Sequence, residues 1–124
     1  MISGRVSPEL YPKVTIEFGN GKGSFQSIEV VVDTGFSGEL ALPPELIRSL
    51  GLEYIDDVSV ALADRQARPV RAYEGVVSWQ GRSRDVTVLD MGSEPLLGMP
   101  LLLGSRLTVS CRPNGAVVIE EEES

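Results

Sequence analysis

The stretch Ile28-Glu29-Val30-Val31-Val32-Asp33-Thr34-Gly35-Phe36-Ser37-Gly38 decides how this chain is read. Its first half is an apolar, β-branched run, the composition of a buried strand. The run ends in a carboxylate, so Asp33 is expected at the mouth of a rigid core strand. Gly35 and Gly38 then let the backbone turn tightly and come close to whatever Asp33 faces. An Asp-x-Gly triplet at a strand end is also the ordinary composition of a turn. The triplet alone therefore does not separate chemistry from punctuation, and the rest of the chain has to decide.

Upstream, Lys13 to Phe18 alternates apolar and polar residues, as a half-buried strand does. Gly19-Asn20-Gly21-Lys22-Gly23 predicts a hairpin turn into a return strand, Phe25 to Asp33. No helix opens after this glycine cluster, so it is not a phosphate-binding loop. Downstream, Glu39 to Leu42 is a short strand. Pro43 to Gly51 is a short helix, with proline in its first turn and glycine just past its last. Val58 to Ala63 and Pro69 to Trp79 form a long hairpin with the polar tip Asp64-Arg65-Gln66-Ala67-Arg68. Gly75 marks a bulge or a close approach. A turn at Gln80 to Ser83 leads into the strand Asp85 to Asp90. Leu96-Leu97 ends another buried strand, and Pro100 opens a helix that Gly104 stops. Two closing strands, Leu107 to Cys111 and Ala116 to Glu120, flank the turn Pro113-Asn114-Gly115. Many short strands with hairpin turns predict a mainly β domain, a closed barrel-like sheet with two short helices. An apolar strand reaching a glycine motif and then a proline-started helix occurs twice. Asp33-Thr34-Gly35 with Pro43 to Leu50 is one instance and Leu97-Gly98 with Pro100 to Leu103 is the other, which hints at internal two-fold organisation.

Composition narrows the chemistry. The 124 residues fit one domain, taken as residues 1–120, followed by the acidic tail 121–124, and the run Glu120 to Glu123 reads as a frayed, solvated end. The net charge of −7 and the scattered basic residues argue against nucleic acid or an anionic membrane surface as partner. No apolar run approaches the ~20 residues of a membrane span, and Met1 to Val6 lacks a signal-peptide apolar region, so a cytoplasmic location is expected. The chain has no histidine, which excludes a Ser-His-Asp triad, a Cys-His pair and a histidine metal site. It has one cysteine, Cys111, which excludes an internal disulfide and a thiolate zinc cluster; its alternating apolar surroundings predict a small buried residue. Carboxylates, hydroxyls and two lysines remain, and neither a metal nor a cofactor is expected.

The ordered combination of Val31-Val32-Asp33-Thr34-Gly35, the long hairpin, and Pro95-Leu96-Leu97-Gly98-Met99-Pro100-Leu101-Leu102 resembles the retroviral-like aspartic proteases. The resemblance runs over about Met1 to Glu120, and is greatest to small prokaryotic members in which Phe follows the triplet, here Phe36. It implies a single-domain acid-protease fold and a homodimer. No other aspartate in the chain is followed by Thr-Gly, so the second carboxylate would come from a second copy. By the same resemblance Asp33 is the shared acid and base, Thr34 hydrogen-bonds across the dimer, and Gly35 turns its N–H to the carboxylate. Leu97 and Gly98 support the catalytic loop from beneath. Phe36 and Ser37 lie at the floor of the site, and Ala63, Asp64, Arg65, Gln66, Ala67 and Arg68 form the flap tip over an extended peptide. The tip differs from the family in having no glycine. Whether Met1 to Val6 or Ala116 to Glu120 supplies the dimer interface is left open. The implied activity is peptide-bond hydrolysis by a water held between two Asp33 carboxylates. The alternative is a catalytically silent peptide-binding or scaffold module of the same fold. Arg65, Arg68 and Arg71 read as a solvated edge, with a substrate clamp as the second possibility.

Overall fold

A computed structural model describes residues 1–61 and 64–122. The strands are β1 (Ile2–Val6), β2 (Pro12–Gly19), β3 (Phe25–Asp33), β4 (Leu40–Leu42), β5 (Glu53–Ala61), β6 (Ala67–Trp79), β7 (Arg82–Asp90), β8 (Leu96–Gly98), β9 (Ser105–Val109) and β10 (Ala116–Glu121). Helix α1 (Pro44–Leu50) follows β4, and the short α2 (Met99–Leu102) follows β8.

Six strands close a barrel in the order β6-β7-β4-β8-β3-β2, with β2 pairing back onto β6 through Glu17 to Gly19. The predicted mainly β, barrel-like class with two short helices is the observed one. Strand β5 extends the hairpin beyond the barrel on β6, and β1, β10 and β9 continue the sheet outward from β2. The core is filled by the inward residues of these strands, among them Val14, Phe18, Val30, Leu40, Val77, Val88, Leu97 and Ile119. No polar or charged residue among those described is buried.

The barrel carries a two-fold repeat that is visible in its pairing register. Strand β3 runs parallel to β8 with Val31, Val32 and Asp33 opposite Leu96, Leu97 and Gly98. Strand β7 runs parallel to β4 with Val88, Leu89 and Asp90 opposite Leu40, Ala41 and Leu42. Each half thus lends its short strand to the other half's hairpin. The sequence expectation of two halves is met, but the matching differs: Asp33-Thr34-Gly35 corresponds to Asp90-Met91-Gly92, and Leu97-Gly98 corresponds to Ala41-Leu42. A repeat held in register, rather than in residue identity, is hard to align by eye.

Local chemistry explains the elements. Pro43 and Pro44 start α1, and Gly51 ends it in the left-handed region, its N–H donating to the carbonyls of Arg48 and Ile47. Gln80 (φ 51°) and Gly81 (φ 83°) join β6 to β7 in a two-residue turn that needs positive φ at both positions. Gly75 lies in an unbroken ladder, so it marks a close approach and not a bulge: a Cβ there would stand 2.3 Å from the Phe18 ring. The bulge is at Ile55, between the pairs Tyr54–Tyr73 and Asp56–Ala72. Pro69 is tolerated because β7 pairs with β6 only from Ala72 onward, which leaves an edge free of donors.

Three expectations need correction. Strand β5 begins at Glu53, five residues before the apolar alternation starts, because it pairs with β6 and faces solvent on most of its length. Cys111 is exposed, since β9 ends at Val109 and the chain turns away there. The acidic run does not fray at Glu120. Strand β10 reaches Glu121, the Glu122 N–H donates to Gly104 O at 2.9 Å, and Glu122 meets Arg106 at 3.1 Å.

Candidate active site

Asp33 is the last residue of β3, flanked on the parallel side by Gly98. Its position follows from the buried run Val30-Val31-Val32, which anchors β3 in the barrel wall and carries the carboxylate to the rim. The side chain is half-buried, and its Oδ1 accepts the Gly35 N–H at 3.0 Å. The Asp33 carbonyl accepts the Phe36 N–H at 3.1 Å, closing a tight loop. Thr34 and Gly35 are exposed at its crest. A carboxylate held by a backbone N–H at a strand end is fixed in direction without being removed from solvent.

The loop is braced from below. Gly98 donates its N–H to Glu39 O at 2.9 Å, and Met99 donates to Phe36 O at 3.1 Å. These bonds require the two backbones to touch: a Cβ on Gly98 would lie 1.9 Å from Gly38 O and 2.7 Å from the Phe36 ring. Leu97, fully buried, fills the space beneath Val32 and Leu40. The residues expected to support the loop are therefore brought together with Asp33.

Phe36 is buried rather than open. It packs with Ala41, Val60, Ala72 and Leu89 in a small cluster, with Val70, Met91 and Leu96 against it. Val60, Val70 and Ala72 belong to the β5–β6 hairpin, so Phe36 joins the loop to the tip-side half of the hairpin. Ser37 is exposed beside it. The expected tip residues Asp64, Arg65, Gln66, Ala67 and Arg68 are exposed, with Arg68 paired to Val60 of this cluster; Ala63 lies outside the described residues. The tip is turned by an Asx bond, Gln66 N–H to Asp64 Oδ1 at 3.0 Å, with Arg65 at φ 65°. Arg71 is exposed, as a solvated edge would be, and its guanidinium sits 5.0 Å from the Tyr54 ring centroid.

Two residues that the sequence did not single out complete the brace. The Glu39 carboxylate accepts the Thr87 N–H at 2.9 Å and meets Arg84 at 3.4 Å. Arg84 also donates to Leu101 O at 3.2 Å and Pro100 O at 3.3 Å, satisfying carbonyls at the end of α2. One ion pair thus ties β4, β7 and α2 together behind the loop. The only sequence signal was a glutamate directly after Gly38, the last residue of the motif; its partner lies 45 residues away.

The fold also limits where a second carboxylate can stand. Asp90 occupies the two-fold equivalent of Asp33. However, β3 and β7 run antiparallel on either side of β8 and β4, so the two carboxylates leave their strands in opposite directions.

A search of solved structures returns a match over 98% of this chain. It is the crystal structure of a retropepsin-like aspartic protease from Rickettsia conorii, matched over 90% of its own length with a TM-score of 0.58 and 16% sequence identity. The chain has the retropepsin-like fold. At that identity the likeness concerns the backbone path and not the side chains. No family model matches the chain, and no curated protein matches it. Among the described residues of this retropepsin-like chain, no helix is long and apolar enough to cross a membrane.

Proposed function

We propose that this chain is an aspartic endopeptidase that works as a homodimer, with one Asp33 contributed by each copy. The observation that carries the reading is the placement of Asp33: the last residue of a core strand, its Oδ1 held by the Gly35 N–H, at the rim of a retropepsin-like barrel. Exposure of Thr34 and Gly35 supports contact between copies at the same loop. Two such carboxylates facing each other share one proton, because like charges at ~3 Å do not both ionise; aspartic-protease dyads are the standard instance. The ionised member takes a proton from a bound water as that water attacks the peptide carbonyl carbon. The protonated member gives its proton to the carbonyl oxygen, and collapse of the resulting diol passes a proton to the leaving amine. The substrate lies extended beneath the β5–β6 hairpin, its side chains alternating into pockets. Phe36 sets the apolar floor from within its cluster, and the charged tip Asp64 to Arg68 selects the residues that pass under it.

A peptide library incubated with the wild type and with Asp33→Asn at several pH values tests this reading. Cleavage that disappears in Asp33→Asn supports it; cleavage unchanged by the substitution refutes it. The glycine-free tip favours one second reading, a dimeric peptide-binding module without turnover. Peptides that bind the wild type and are recovered intact at every pH would establish that reading instead.

A further inference from the structure

The sheet ends on one side at β5, which pairs with β6 alone. Every residue from Glu53 to Ser59 is exposed, and no other described strand lies along the outer side of this ladder. Edge strands are commonly kept short or studded with lysine or proline, which discourages pairing with other chains. This one runs nine residues without either, and presents Tyr54, Ile55 and Val58 at 45%, 49% and 36% exposure. Ile55 is the extra residue of the bulge, so β6 offers its backbone no partner residue. The charges of the strand all have one sign: Glu53, Asp56 and Asp57. Glu74 of β6 stands directly opposite Glu53, a like-charge pair that weakens the ladder by itself. None of these four carboxylates has an ion-pair partner among the described residues. Arg71, opposite Asp57, already lies over the Tyr54 ring, and Arg68 stands further along, opposite Val60.

We propose that the outer edge of β5, from Glu53 to Ser59, takes an extended polypeptide segment rich in basic and apolar residues as an added strand. The open ladder supplies main-chain hydrogen bonds, although the Asp57 N–H is already taken by the Asp56 carboxylate at 2.8 Å. Both faces of the strand set an apolar side chain beside a carboxylate. Asp56 and Val58 share the face that carries Val60. Tyr54 and Asp57 meet on the other, hydroxyl to carboxylate at 2.8 Å. A segment with lysine or arginine followed by an apolar residue on each face matches both. Its cations also relieve the repulsion between Glu53 and Glu74, which no group of this chain relieves among the described residues. The net charge of −7 draws such a segment in and turns acidic ones away. The edge lies on β5 and Asp33 on β3, so the inference holds whether or not Asp33 turns over peptides.

The test uses the full chain carrying Asp33→Asn, so that a bound probe is not cut. The probe is the labelled octapeptide Lys-Lys-Val-Val-Lys-Lys-Val-Val, followed by fluorescence anisotropy and by backbone amide shifts. Binding is expected to weaken as salt rises and to move the amides of residues 53–59. Glu53→Lys and Ile55→Lys, each added to the same chain, should weaken it by about threefold to tenfold. Both positions are exposed, and Glu53→Lys turns the repulsion with Glu74 into an attraction, so its Tm should not fall. An octapeptide with glutamate in place of lysine should not bind, and one with glycine in place of valine should bind more weakly. No binding of the lysine-valine probe, or binding that both variants leave unchanged, overturns the proposal. Equal binding of the glutamate peptide removes charge as its basis, and equal binding of the glycine peptide without shifts at residues 53–59 removes strand addition. Shifts confined to the Asp33 loop assign the probe to that loop instead. Self-association of the chain that Ile55→Lys abolishes would make the occupant a second copy and sink the basic segment. Loss of cleavage in Asp33→Asn is read separately with the peptide library, so either reading can fail alone.

Discussion

The close approach at Gly98 gives the sharpest test of how the Asp33 loop is held. Gly98 has φ −100° and ψ 174°, backbone that alanine adopts freely, so Gly98→Ala introduces no conformational strain of its own. Its effect is purely one of space. The added Cβ would sit 1.9 Å from Gly38 O, where ordinary contacts are 3.4–4 Å, and 2.7 Å from the Phe36 ring. Backbone must therefore move by more than about 1 Å, because a carbonyl in a braced loop cannot rotate away as a side chain would. The movement also breaks the bond from Gly98 N–H to Glu39 O. Overpacking costs about 1–3 kcal/mol, the lost hydrogen bond about 1 kcal/mol, and the stiffer unfolded chain returns about 0.4–1 kcal/mol. The net destabilisation is about 1–3.5 kcal/mol, a fall in Tm of roughly 3–18 °C for a domain of this size. Since Phe36 and Gly38 belong to the loop that aims Asp33, a shift of ~1 Å should also reduce turnover by about a hundredfold in the surviving folded protein. Urea denaturation followed by fluorescence gives the first number, and peptide hydrolysis below the melting range gives the second. Gly35→Ala is the comparison, because its Cβ would meet only Asp33 Oδ1, at 3.3 Å; it should cost less stability. Wild-type stability and turnover in Gly98→Ala would refute the claim that β8 braces the loop by backbone contact.

Three further outcomes follow from other parts of the molecule. Arg84→Met leaves Pro100 O, Leu101 O and the Glu39 carboxylate without their cation, and should cost about 1–3 kcal/mol in chemical denaturation; Glu39→Gln, which keeps an acceptor for the Thr87 N–H, should cost less. Gly75→Ala should destabilise because its Cβ would stand 2.3 Å from the Phe18 ring, and Phe18→Leu in the same chain should recover part of the loss, a coupling that a double-mutant cycle measures. The Tyr54 hydroxyl donates to Asp57 at 2.8 Å, and that bond, with burial and the neighbouring carboxylates, raises its pKa above the ordinary tyrosine value near 10. A raised pKa means that the contact is fully present below that ordinary value and is lost as pH rises through the folded one. Spectrophotometric titration should therefore show one late tyrosine, which returns toward the ordinary value in Asp57→Asn.

Local sequence determined much of this protein. Valine and isoleucine runs, Asn-Gly and Gln-Gly turns, and the proline-started helices act over a few residues, so β2, β3, α1, α2 and the β6–β7 turn are legible in order. The position of Asp33 at a strand mouth is legible for the same reason, since the run that buries β3 is contiguous with the triplet. Strand β1 and the first half of β5 were not legible, because their strand form depends on pairing partners elsewhere and their own residues alternate weakly. Register across the barrel was not legible either. It is the exchange of β4 and β8 between halves that places Gly98, and not Asp90, beside Asp33. The Arg84–Glu39 brace joins residues from distant parts of the chain, brought together only by closure of the barrel. Sequence sets which side chains are available and how each short segment bends; tertiary closure alone sets which of them meet, because contacts between strands depend on register, and register is a property of the whole sheet.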